Sequence, residues 1–256
     1  MNTMNNLTTF KSKQKEVRKM KGMKGMILLV AMVAAIALLG AGAALADVIS
    51  NSKHNLSSTG TGTVKASSSA VQGGEICIWC HTPHFANISM LPAPLWNKGN
   101  ATATYTMYGT TIAGTVSSTT PVGVTKACLS CHDGVNAVNS LVNQAGAGGV
   151  TAIGVNVAFL NATSGIGYPI TGASTNIGIT LTGDHPVSIA YTASTAGLRA
   201  TSYTLTNWIG ATTIANLLRS SNIECSGCHA VHDNANTLFL RVSNSGSALC
   251  IGCHLK

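Results

Sequence analysis

Every cysteine in the chain belongs to one pattern, C-x-x-C-H, and the pattern occurs four times: Cys77–His81, Cys128–His132, Cys225–His229 and Cys250–His254. A pair of thiols three positions apart lies on one turn of chain. It presents two sulfurs to the two vinyl groups of one porphyrin, and the next residue falls beneath the iron. A lone C-x-x-C would equally suit a disulfide, a thioredoxin-like redox pair or half a zinc site. The histidines decide between these readings. The chain has eight histidines in 256 residues, and all four second cysteines are followed by one. A zinc site gathers two such pairs around one metal and asks for no neighbouring imidazole on each. The sequence therefore predicts four covalently attached haems c, with Cys77, Cys80, Cys128, Cys131, Cys225, Cys228, Cys250 and Cys253 as attachment points. His81, His132, His229 and His254 are the proximal iron ligands.

The N-terminal stretch sets the compartment. Lys11, Lys13, Lys15, Arg18, Lys19, Lys21 and Lys24 stand against the single acid Glu16 and precede an apolar run from Met26 to Leu39 that closes on Ala44-Leu45-Ala46. A basic n-region, an apolar h-region and a small-residue site describe a secretory signal peptide over residues 1–46, cut before Asp47. The competing reading is a retained anchor, since residues 26–46 carry no charge and are long enough to span a bilayer. Export agrees with covalent haem attachment, which takes place outside the cytoplasmic membrane. It leads to a location outside the cytoplasmic membrane.

Removing the leader changes the charge. It takes seven of the 15 basic and one of the seven acidic residues, which leaves eight against six and a formal +2. Eight haem propionates would carry the holoprotein toward neutral or negative, so there is no electrostatic footprint for nucleic acid.

The mature stretch, 47–256, is poor in charge and rich in Thr, Ser, Gly and Ala, with no sustained helical period. It predicts a mostly irregular coil with short helices at the haem motifs and a few short strands, wrapped around four stacked haems. Four further histidines, His54, His84, His185 and His232, repeat in order: lone His, C-x-x-C-H-x-x-H, C-x-x-C-H, twice over. This divides the domain into two di-haem units, about 47–150 and 151–256.

One spare imidazole per haem points to His54, His84, His185 and His232 as distal iron ligands. The competing ligand, methionine, is represented after the leader only by Met90 and Met107. The expected pairing gives His84 to the haem at Cys128/Cys131 and His232 to that at Cys250/Cys253. His54 and His185 then serve Cys77/Cys80 and Cys225/Cys228. Irons capped on both faces have no open position for a substrate, which argues for electron transfer and against an enzyme. Asp133 and Asp184 are candidates for orienting the neighbouring imidazoles. The aromatics Trp79, Phe85, Trp96, Tyr105, Tyr108, Tyr191, Trp208 and Phe239 read as haem-packing and interface residues.

Several short stretches carry a resemblance: Lys53–Ser57, Glu75–His84, Pro94-Leu95-Trp96-Asn97, Gly183–Ser188 and the closing doubled C-x-x-C-H. Together they resemble the multihaem cytochromes of metal-reducing bacteria, especially the OmcE-type tetrahaem filament cytochromes. The resemblance implies that copies stack end to end into an extracellular wire that carries electrons to external acceptors. In such a wire an N-terminal His, by position His54, would complete a haem of the adjacent subunit. A monomeric periplasmic electron shuttle with the same four haems is the rival. A haem-containing reductase with one unligated spare His is a more distant one.

Overall fold

The computed structural model describes residues 49–66, 74–100, 103–109, 118–143, 175–192 and 197–255, together with 112, 159–160 and 170. The proposed leader and its cleavage site lie outside the described residues. Val48–Lys256 form one compact unit.

Regular structure is sparse. Among the described residues the longest helix is α1 (Gly123–His132), and α2 (Cys225–Cys228) and α3 (Ala248–Ile251) are single turns. Strands β1 (Lys65–Ala66) and β2 (Phe159–Leu160) form one antiparallel pair, β3 (Ile189–Ala190) and β4 (Asn222–Ile223) another. Among the described residues no helix is long and apolar enough to cross a membrane.

The helical turns sit at the C-x-x-C-H motifs. Cys77–Trp79 is a 3-10 turn, α1 contains the second motif, α2 is the third, and α3 runs into the fourth. The motif histidine's backbone N–H closes the turn by donating to the first cysteine's carbonyl, at 2.8 Å for His81, 3.0 Å for His229 and 2.9 Å for His254. Three residues of separation on such a turn bring both thiols to one side, so the spacing that attachment chemistry requires is also what the backbone adopts.

Among the described residues no large core forms. Most buried apolar side chains there fall into four small clusters, each bordering a motif. Ala66, Trp79, Val138 and Leu141 pack with Cys80 and Cys131, while Leu205, Ala211, Ile214 and Leu217 pack with Trp208 and Cys253. Tyr105, Tyr108, Leu129 and Leu181 form the third, and Met90, Ala93 and Ala127 the fourth, so Met90 is a packing residue.

Two features of the closing motifs follow from close approach. A Cβ on Gly252 would enter the indole of Trp208, and one on Gly227 would come within 2.5 Å of Ile223 Cδ1. Replacing Gly252 with alanine is accordingly expected to lower stability by about 1–3 kcal/mol, the usual effect of overpacking. Thermal unfolding of the haem-loaded protein checks this.

The helix carrying the second motif has a remote cap. Its own N-cap residue, Val122, has no side-chain acceptor. The Thr125 N–H donates instead to Glu224 Oε2 at 2.9 Å, and the Val122 N–H to Ser188 Oγ at 3.1 Å. An acid at this end also suits the helix dipole. Burial holds the Glu224 carboxyl above the ordinary range, while the bonds from Thr125 and Ser188 pull it back. Replacing Glu224 with alanine leaves a buried N–H without its acceptor and is expected to cost about 1–3 kcal/mol. Glutamine, which keeps an acceptor oxygen, should recover most of that in the same unfolding experiment.

These contacts cross residues 150–151, where the sequence repeat divides. Glu224 caps α1, Cys225 N–H donates to Thr125 Oγ1 at 3.3 Å, and β1 pairs with β2.

Candidate functional site

All eight cysteines and all eight histidines are among the described residues. The cysteines are free thiols, with Cys77 and Cys250 exposed and the others partly buried. Burial is the main force raising the Cys80 thiol to about 12 and the Cys228 thiol to about 11. Cys80 and Cys228 therefore present protonated thiols, the state from which a thioether to a vinyl group forms. Among the described residues no three His, Cys, Asp or Glu side chains converge on a point, as a zinc or non-haem iron site would require.

Consecutive motifs adjoin. Cys80 lies beside Cys131, and Cys228 beside Cys253. Cys128 donates a hydrogen bond to Cys225, which holds the Cys128 thiol up and brings Cys225 down. Sequence neighbours are thus spatial neighbours along all four motifs.

Three motif histidines are held by backbone carbonyls. Nδ1 of His81 donates to Pro94 O at 2.9 Å, that of His132 to Thr175 O at 2.8 Å and that of His229 to Leu238 O at 2.8 Å. A carbonyl only accepts, so each bond fixes the proton on Nδ1 and leaves the lone pair on Nε2, the arrangement an iron-ligating imidazole needs. Leu238 and Phe239 both occupy the left-handed region, at φ 58° and 59°. Leu238 there supplies the carbonyl to His229, and Phe239 stacks on His54 with ring centroids 4.4 Å apart. Such conformations cost on the order of 1–3 kcal/mol each and mark a functional constraint.

Three of the four remaining imidazoles each meet a motif imidazole. Ring centroids are 6.1 Å apart for His54 and His132, 5.9 Å for His81 and His232, and 6.3 Å for His185 and His254. A metal–imidazole nitrogen bond of about 2 Å on each side of one iron puts the two ring centroids about 6 Å apart. The three separations therefore suit one iron between each pair. Burial, reinforced by His132, takes the His54 imidazole down to about 4, so it stands neutral, as a ligand must.

This pairing differs from the one expected from sequence. His232 faces His81 and not the fourth motif, His54 faces His132 of its own chain and not the first motif, and His185 faces His254 and not the third. His84 makes no ring contact with a motif histidine: its side chain is exposed, and its carbonyl accepts from Asn143 Nδ2 at 2.8 Å.

The acids do not orient imidazoles as the sequence reading allowed. Asp133 is buried and accepts from Tyr105 Oη at 2.8 Å and from the N–H groups of Val135 and Asn136 at 2.9 and 2.8 Å, which staples the turn after α1. Burial and this bond raise the Tyr105 hydroxyl. Asp184 is exposed. Of the aromatics, Trp96 lies edge-on to His81 at 6.0 Å with its indole N–H buried and without a protein acceptor, while Phe85 is 72% exposed. Sequence reasoning missed Glu224 and Lys98, and neither carries a local signal.

Residues 220–256 match the doubled CXXCH motif family. No curated protein matches the chain. The doubled motif indicates a multihaem c-type cytochrome-like protein, with covalent haem binding and electron transfer as the chemistry it suggests. Free thiols, carbonyl-fixed imidazoles and ring pairs about 6 Å apart all fit haem c.

Proposed function

We propose that the chain is an exported tetrahaem cytochrome whose four irons are each held by two histidines, and that it assembles with copies of itself into an extracellular electron-carrying filament. Haem c supplies a one-electron Fe(III)/Fe(II) couple whose two strong axial imidazoles leave no position for a substrate. The protein's part is to attach, ligate and align.

The observation that carries the reading is the count of imidazole pairs. His81/His232, His132/His54 and His254/His185 have the separation of axial partners, so three sites are complete within one chain. His229 has its carbonyl anchor but no ring partner at that separation, and His84 is an exposed imidazole with no motif histidine opposite it. His84 of a second copy completes the His229 site in this reading, so the donor in trans is His84 and not His54. The segment that follows His84 exposes several large apolar side chains: Phe85 is 72% exposed, Ile88 78%, Leu91 61% and Leu95 53%. Exposed apolar side chains gathered in one short segment support an interface with another copy. The adjoining sulfurs of consecutive motifs support a continuous path within each copy.

Electron microscopy and sedimentation of the secreted, haem-loaded protein test this reading. Filaments with a fully low-spin spectrum are expected. A monodisperse single chain would instead identify a periplasmic shuttle. A substantial high-spin fraction in intact material would defeat the two-histidine assignment.

A further inference from the structure

Lys98 is completely buried, an unusual place for an ammonium group. It arrives there through a clamped backbone: Asn97 Nδ2 donates to Ile78 O at 2.7 Å and to Asn143 O at 2.8 Å, and Lys98 pairs with Leu141 as an isolated antiparallel bridge. Its Nζ donates to Ala137 O at 3.0 Å and to Val138 O. Cys131 and Cys80, from the second and first motifs, are its charged or polar side-chain neighbours, and no carboxylate among the described residues acts on it. Burial holds its pKa below the ordinary lysine value. A hydrophobic residue of similar length would fill this space without the penalty of burying a charge. Thioether sulfurs are neutral, so haem attachment supplies no countercharge from these two cysteines.

We propose that Lys98 sets the reduction potential of the first two haems: its buried ammonium, seated at the sulfurs of Cys80 and Cys131, stabilises the reduced state of the centres attached there. The inference rests on the haem reading of those motifs. Adding one electron to a ferric centre lowers its charge by one, and a fixed positive charge in a low-dielectric interior favours that change, for a unit charge on the order of tenfold in the equilibrium constant.

The test is spectroelectrochemical titration of purified holoprotein, with covalent haem counted by intact mass. Lys98→Gln and Lys98→Met, which remove the charge, are expected to lower the midpoint potentials of two of the four haems. The expected shift is about tenfold in the reduced-to-oxidised ratio, or about 59 mV for a one-electron couple. Lys98→Arg, which keeps the charge, should stay near the parent values. Unchanged potentials in fully loaded neutral variants would overturn the proposal, as would an equal shift of all four haems. Loss of haem from the neutral variants would also overturn it, since the charge would then serve folding. A parent protein carrying fewer haems than motifs would defeat the haem reading itself, a different result from intact loading with unmoved potentials.

Discussion

Replacing His84 with alanine is expected to abolish filaments while every chain still carries four covalent haems. Attachment depends on the cysteine pairs, which the substitution leaves in place, so the haem count read from intact mass should not change. What should change is the haem at Cys225/Cys228, whose iron loses its second imidazole and becomes the one centre that binds carbon monoxide. About a quarter of the haem absorption should turn high-spin, and the protein should sediment as a single chain. Restoring imidazole from solution should return the low-spin spectrum without restoring filaments, because a free ligand fills the iron position but not the interface around Phe85, Ile88, Leu91 and Leu95. An alanine variant that still forms filaments and stays fully low-spin would sink the assignment of His84.

His232→Ala should open a different centre. The His232 ring stands 5.9 Å from His81, so the carbon-monoxide-binding haem is expected at Cys77/Cys80. The sequence pattern alone pointed to Cys250/Cys253. The two are separated by adding Cys77→Ala and Cys80→Ala to the His232 variant, which removes the first haem. The carbon monoxide band should then vanish; a band that persists places His232 elsewhere. The same imidazole cannot serve two irons, so the outcome is unambiguous for the pairing.

These two residues show what was readable and what was not. The C-x-x-C-H motifs were legible because their chemistry is local: attachment and proximal ligation are satisfied by five consecutive residues on one helical turn. The mostly irregular backbone was legible as well, since Thr/Gly-rich segments without a helical period cannot build long elements. Which spare histidine meets which motif is a question of through-space geometry. His232 lies near the third and fourth motifs in sequence, but the fold carries it to His81, and His54 passes over the nearest motif to reach His132. Glu224 was illegible for the same reason: it caps a helix whose first turn lies about a hundred residues earlier, and an acid preceding a cysteine carries no mark of that role. Lys98 carries no mark in the sequence of its surroundings, and only its burial distinguishes it. Adjacency to His132 in sequence does not decide where the Asp133 carboxylate points; it turns back to Tyr105.

The reach of His232 back to the first motif has a consequence for biogenesis. A polypeptide exported from its N-terminus exposes Cys77 and Cys80 to the attachment machinery long before residue 232 emerges. In that order the first centre to gain its porphyrin waits for a sixth ligand about 150 residues further along the chain, and a truncated or stalled chain would display a reactive five-coordinate iron, open to peroxide, that the finished protein conceals.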